Sequence, residues 1–314
     1  MNIISKALGL LALGLSTASA YAQQERALPI LTQGRDVASV ALGGAHYGTS
    51  GQAHLYTNPS AALYAERPFS LSTYYQHQRL GESALRAMGF ASSYRLGERH
   101  AFMLGARYAG GLKHTEITQG EQTRYERSLY DLTLDLGYSL RLGKFSPYIT
   151  AHYILSDQMR RVSTMTLGVG ASYRDQMTLL GQSWRYSLVA KASNIGPSFS
   201  YIRRGSAVYP PSSVALGGAL QTDGEQHQLG MQLGVEHYYA PSAAASTQLQ
   251  TGLEYAYRRL LMARVGYCHD TNGLSQLTLG LGLRYRGLHL DLAYARPNNQ
   301  IVSPQMSLGL GFSL

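Results

Sequence analysis

Period two dominates the chain. Leu277, Leu279, Leu281, Leu283 and Tyr285 alternate with Thr278, Gly280, Gly282 and Arg284. Leu288, Leu290, Leu292 and Tyr294 alternate with His289, Asp291 and Ala293, and Met306, Leu308, Leu310, Phe312 and Leu314 with Ser307, Gly309, Gly311 and Ser313. The same rhythm runs through 130–140, 165–173 and 229–235. Successive side chains of a strand point to opposite faces, so each of these segments has one greasy face and one small or polar face. The polar face is rich in Gly, Ser and Thr and carries carboxylates at Asp131, Asp135, Glu236, Glu254 and Asp291. A soluble sandwich also alternates, but an apolar outside with a polar inside is the pattern of a membrane barrel.

Fourteen strands are predicted, near 69–77, 84–95, 99–110, 124–141, 145–156, 162–174, 183–194, 212–222, 225–239, 246–257, 261–268, 274–285, 287–295 and 304–314. The turns after the second, fourth, eighth, tenth and twelfth are short: Leu96-Gly97-Glu98, Leu142-Gly143-Lys144, Asp223-Gly224, Arg258-Arg259-Leu260 and Arg286-Gly287. The stretch from Asp175 to Gln182 is the exception. Odd-numbered connections are longer, notably 111–123, 195–211 and 296–303. Short turns at one end and long loops at the other fit an outer-membrane barrel and give a sandwich no advantage. Read as a two-residue turn, Asp223-Gly224 pairs Leu220 with His227 and Gly218 with Leu229. It keeps Leu216, Leu220, Leu229 and Met231 on one face. A three-residue turn at 258–260 sets Glu254 opposite Arg264 in the lumen, an ion pair whose plain reading is structural and whose sharper reading is a gate or ligand contact. The final strand can pair with the first and remove the unpaired edge that lipid cannot satisfy. The fold class is therefore all-β, a transmembrane antiparallel barrel of about fourteen strands.

Residues 1–22 have the form of a secretory leader: Lys6, an apolar core from Ala7 to Leu15, and small-x-small cleavage sites ending at Ala20 or Ala22. Residues 23–68 precede the first strand and contain Leu42-Gly43-Gly44-Ala45 and Asn58-Pro59, the latter an N-cap followed by Pro at the first helical position. This segment is predicted to fold into the lumen as an N-terminal plug, with an extended periplasmic arm as the alternative. Residues 69–314 form the barrel.

Composition adds to this picture. Gly is 34 and Tyr 24, against one Trp and six Phe, and 14% of residues are charged, where a soluble domain carries roughly 25%. The formal charge of +9 points to loop charge or to contact with anionic lipopolysaccharide or an acidic partner. Export argues against nucleic acid. Cys268 is alone, so it forms no internal disulfide and reads as a small buried or lumen-facing residue. The ten His have no metal-ligand spacing, and there is no Gly-x-Ser-x-Gly, Walker loop or dinucleotide fingerprint. Asp131 and Asp135 share one strand face and read as lumen lining rather than an acid–base pair. Neither an enzyme nor a cofactor is predicted.

The stretch containing Arg35, Leu42, Gly43, Gly44, Ala45, Asn58 and Pro59 resembles the start of the PorV/PorQ family, itself related to FadL-type fatty-acid channels; Ser60 stands where that family has Ala. Lys191-Ala192-Ser193-Asn194-Ile195-Gly196 and Tyr209-Pro210-Pro211-Ser212 are similar to later family segments, as are Gly252-Leu253-Glu254-Tyr255, Met262-Ala263-Arg264-Val265-Gly266-Tyr267 and Leu290-Asp291-Leu292-Ala293-Tyr294. The resemblance covers most of the mature chain. It implies a fourteen-stranded barrel with a plug and a role in type IX secretion. There the barrel would bind cargo bearing a C-terminal secretion domain, or attachment-complex proteins, through loops 111–123, 195–211 and 296–303. Leu28-Pro29-Ile30-Leu31 leans towards PorV and the short loops lean away from it. The FadL relation implies instead a transporter of hydrophobic small molecules. A purely structural barrel is the third reading.

Overall fold

The computed structural model describes residues 28–32, 36–48, 51–80, 83–117, 124–158, 160–179, 181–201, 207–298 and 302–314. The leader and Arg35 lie outside them. Among the described residues, fourteen strands close into one barrel: β1 (Phe69–Leu80), β2 (Ser83–Leu96), β3 (His100–Ile117), β4 (Arg124–Leu140), β5 (Phe145–Asp157), β6 (Arg161–Leu179), β7 (Gln182–Ile195), β8 (Ser213–Thr222), β9 (His227–Tyr238), β10 (Ser246–Tyr257), β11 (Leu261–Asp270), β12 (Gln276–Tyr285), β13 (Leu288–Pro297) and β14 (Gln305–Ser313). Every strand pairs antiparallel with its chain neighbours. The seam runs from Ser70↔Ser313 to Gln78↔Gln305 between β1 and β14.

The alternation read from the sequence becomes a two-faced wall. Leu132, Leu134 and Leu136 face out, while Asp131, Thr133 and Asp135 face in and are buried. Leu277 to Leu283 repeat this on β12 around buried Thr278. An exposed apolar belt of this extent does not suit water; it matches hydrocarbon. Tyrosines border the belt at both ends. Tyr94, Tyr138, Tyr173 and Tyr285 lie towards the short turns, and Tyr75, Tyr108, Tyr130, Tyr267 and Tyr294 towards the long loops. Phenol rings suit the boundary because one edge is apolar and the other is wet.

The short turns after the even-numbered strands fall at the end where β1 begins and β14 stops; contrary to expectation the opposite end also has tight connections, with β1 and β2 paired out to Leu80↔Ser83 and β5 and β6 to Asp157↔Arg161. Arg286 and Gly287 both take positive φ (49° and 91°), as do Arg258 and Arg259 (51° and 54°). This left-handed backbone suits a tight hairpin between right-twisted strands.

Three expectations are corrected. The stretch 175–182 is not an exception: β6 and β7 pair out to Leu179↔Gln182, with Gly181 at φ 74°. Beyond the belt both faces meet water, so alternation stops while the ladder continues. The 111–123 stretch is not mainly loop. β3 and β4 stay paired to Ile117↔Arg124 after a register shift between Gly110 and Leu112. Third, Leu220 pairs with Met231 and Gly218 with Leu233, because 223–226 is not a two-residue turn. Asp223 N–H still donates to Ser183 O at 3.1 Å, and its carboxylate meets Arg185 at 3.0 Å. The shift is an even number of residues, so Leu216, Leu229 and Met231 keep their outward face.

Candidate functional site: the lumen and the segment it holds

The described part of 28–64 lies against the inward faces of the strands. It carries two short helices, α1 (Pro29–Thr32) and α2 (Val37–Ala41), and 3-10 turns at His54–Tyr56 and Pro59–Tyr64. Asp36 organises it. Its carboxylate accepts from Ser39 N at 3.3 Å at the start of α2, and from Gln52 N and Ala53 N at 2.9 and 3.0 Å. Burial, then the nearby Asp291, push this carboxyl upward, and the Ala53 and Gln52 amides offset them in part. His54 is held neutral, pushed down to about 4 by burial, then by Arg284 and His289.

Gly43 and Gly44 stand where chain meets wall. Their φ values are 70° and 83°, a region that favours glycine. A Cβ on Gly43 would sit 2.6–2.8 Å from backbone atoms of Tyr267 and Thr251, and one on Gly266 would sit 2.1 Å from Gly43 N. Backbone therefore rests directly on β10 and β11. Thr278 Oγ1 accepts from Gly43 N and donates to Ala41 O, both at 2.9 Å. Tyr47 lies over Gly217 and Gly234, its N–H donating to Gln232 Oε1 at 2.9 Å.

Asn58 and Pro59 begin the second 3-10 turn, with Pro at its first position. The Asn58 side chain does not cap it, contrary to expectation. Asn58 Nδ2 instead donates to Tyr47 O and Gly48 O at 3.4 Å, because Ser60 Oγ occupies its Oδ1 at 2.6 Å.

Two buried arginine clusters stiffen the lumen. Glu254 sits opposite Arg264 in the β10–β11 register. Arg264 donates from Nε to Glu254 at 2.6 Å and from Nη1 to Asp291 at 2.5 Å. Asp291, noticed in the sequence only as lumen lining, is thus the second partner. Arg107 was not singled out. It donates from Nε and Nη2 to the two oxygens of Asp135, each at 3.1 Å, and from Nη1 to Ile30 O at 3.0 Å. His152 Nδ1 also meets Asp135 at 2.7 Å. Tyr56 OH donates to Asp135 at 2.9 Å under a guanidinium 4.4 Å above its ring. The parity of β3 was the available signal, since it puts Arg107 on the inward face with Ala101 and Met103. Asp131 has different partners, accepting from Ser156 at 2.5 Å and Gln158 at 3.2 Å. It is not paired with Asp135. Cys268 is buried on the inward face.

Loop 195–211 folds back over the barrel mouth as far as it is described. Tyr201 OH meets Ser156 Oγ at 2.7 Å, and Phe199 packs on the cluster containing Leu28, Ile30 and Ile154. Residues 118–123, 202–206 and 299–301 lie outside the described residues.

No family model matches the chain, and no curated protein matches it. Solved structures do. The toluene transporter TbuX of Ralstonia pickettii superposes with a TM-score of 0.56 at 13% identity, over 90% of this chain and 99% of its own. The toluene transporter TodX of P. putida gives 0.56 at 13%, over 90% and 99%. The monoaromatic hydrocarbon channel CymD gives 0.58 at 12%, over 90% and 98%. Identity this low establishes the architecture alone. The FadL-like part of the resemblance is supported, the PorV/PorQ part is not, and the fold is that of a FadL-like closed barrel of fourteen antiparallel strands.

Proposed function

We propose that the chain is a bacterial outer-membrane barrel that passes small hydrophobic molecules across that membrane, with residues 23–68 acting as its plug. The observation that carries this reading is an architecture shared with hydrocarbon transporters over nine-tenths of the chain. A further feature agrees with it. The outer wall has an apolar groove of about 420 Å³ between β9 and β11, lined by Leu229, Met231, Leu253, Ala263 and Val265 with Trp184 nearby. The test is uptake of radiolabelled toluene by intact cells with and without the barrel, where the lipopolysaccharide leaflet is the barrier. Uptake above that of the deletion strain supports the reading, and uptake equal to it ends it.

One observation favours a second reading. The cavities inside the barrel are bordered largely by polar and charged side chains, which suits a barrel that binds proteins at its surface. On this reading it serves type IX secretion, its partners being cargo with a C-terminal secretion domain and attachment-complex proteins. An affinity tag in loop 296–303, followed by mass spectrometry of what copurifies from solubilised membrane, separates the two. Recovery of such proteins supports secretion; recovery of the barrel alone counts against it.

A further inference from the structure

A cavity of about 340 Å³ opens at the short-turn end of the barrel. Six arginines line it: Arg67, Arg174, Arg185, Arg259, Arg284 and Arg286. The lining carboxylates are Glu66 and Glu254, and Asp223 stands beside the rim. These acids are largely committed. Glu254 holds Arg264 at 2.6 Å, Glu66 meets Arg259 at 3.4 Å, and Asp223 meets Arg185 at 3.0 Å. Among the described residues, Arg67, Arg174, Arg284 and Arg286 have no carboxylate partner. Arg67 donates to Ser313 O at 2.9 Å. Arg174 lies 4.5 Å over the Tyr64 ring, and Arg286 lies 5.3 Å over that of Tyr285.

Residues that carry buried, unmade donors line the same cavity. Gln228 is 5% exposed, and its Nε2 has no hydrogen-bond partner in the protein. Arg174 Nη1 and Arg185 Nε are also buried and without one. A buried donor left unmade costs about 1–3 kcal/mol, so a group of them around one cavity calls for an acceptor. Excess positive charge with unmade N–H donors is complementary to an anion. A single carboxylate engages one guanidinium fork and would leave the other uncompensated arginines in place. A phosphate chain carries several charges and more acceptor oxygens, and arginine suits it.

We propose that this cavity binds a diphosphate group, free or as the headgroup of a lipid. The inference does not depend on what crosses the barrel. His54 lies on the same lining, its pKa lowered by burial and then by Arg284 and His289.

The experiment uses the full-length barrel in detergent and titrates inorganic pyrophosphate by calorimetry. A parallel arm places the barrel in nanodiscs with and without a polyprenyl diphosphate. Micromolar binding of pyrophosphate that weakens with added salt, or binding seen only with the lipid-borne group, supports the site and identifies the source. Arg174→Gln with Arg284→Gln weakens binding at least about tenfold, the loss of roughly one charge-assisted bond. Arg161→Gln, at the opposite end, leaves it unchanged. Gln228→Glu puts a carboxylate into the cavity and weakens binding too; it serves if the double variant does not fold. A folded wild-type barrel that binds neither probe overturns the proposal. So does a folded double variant that binds as tightly as wild type.

Discussion

The two sides of the lumen hold the inner segment by different means. On the β3–β5 side the contacts are side-chain bonds: Arg107 to Ile30 O, Tyr56 to Asp135, Tyr64 OH to Ser146 Oγ at 2.9 Å. On the β9–β12 side Thr278 and Gln232 also bond the segment's backbone, but that backbone in addition lies directly on glycine, and the buried charges of Arg264 join wall strands to each other. Arg107 is thus wall and anchor at once, whereas Arg264 is wall only. A hydrogen-bonded contact can adjust by tenths of an ångström; a backbone seated on a glycine cannot.

Arg264→Met should have the largest effect on stability. It leaves Glu254 and Asp291 buried without their cation, and breaking a buried pair costs about 3–5 kcal/mol. Unfolding in guanidinium, followed by the fluorescence of the single tryptophan, Trp184, reads the loss. Protease sensitivity of residues 28–48 should change less than in Arg107→Met, because Arg264 acts on the segment only through its charge near Asp36 and makes no hydrogen bond to it among the described residues. Arg107→Met should cost less, about 3 kcal/mol, since His152 remains beside Asp135. It should expose the segment around Ile30 to protease. Adding Asp135→Leu should recover part of that stability. If Arg264→Met exposes the segment and Arg107→Met does not, the division between anchor and wall is wrong.

Gly266→Val tests the steric side. The new side chain would meet Gly43 N and Leu42, and overpacking of this kind costs about 1–3 kcal/mol. Protection of residues 42–48 against hydrogen exchange should fall while the ladder between β10 and β11 stays protected. Tyr56→Phe should be mildest, about 1 kcal/mol for one hydrogen bond, because Asp135 keeps both arginine contacts.

The wall was legible in the sequence because its physics is local. Period two sets the faces, and a turn of fixed length sets the pairing, which is why Glu254 opposite Arg264 follows from residues 258–260 alone. Pairing was not legible where the chain leaves the apolar belt. Both faces are wet over 175–179, so alternation loses meaning there, and at 111–117 the ladder runs on past a register shift between Gly110 and Leu112. It also failed where a side chain overrides the turn, as Asp223 does by binding Arg185. The inner segment was legible only as composition and a resemblance. Its seat depends on contacts across the whole chain, and Gly43, Gly44 and Asn58 show their roles only when Tyr267, Thr251 and Tyr47 lie beside them. Arg107 shares its strand with small residues and drew no notice, although its parity places it inside. The arginine-lined cavity gathers residues from ten strands and the N-terminal segment, and no local pattern marks it.

The bond between Gly43 and Thr278 joins residues 235 positions apart, and the seam joins β1 to β14. The part of the molecule made first thus finds its resting place among the parts made last. A cylinder closed around its contents cannot be filled afterwards through the wall. The inner segment must already lie on the curving sheet, or be trapped by it, when the first and last strands meet. Contacts this distant in sequence make assembly slow. The step that completes the wall and the step that seats its contents are one event, so a variant that lifts residues 42–48 off β10 and β11 should delay closure as well as loosen the finished barrel.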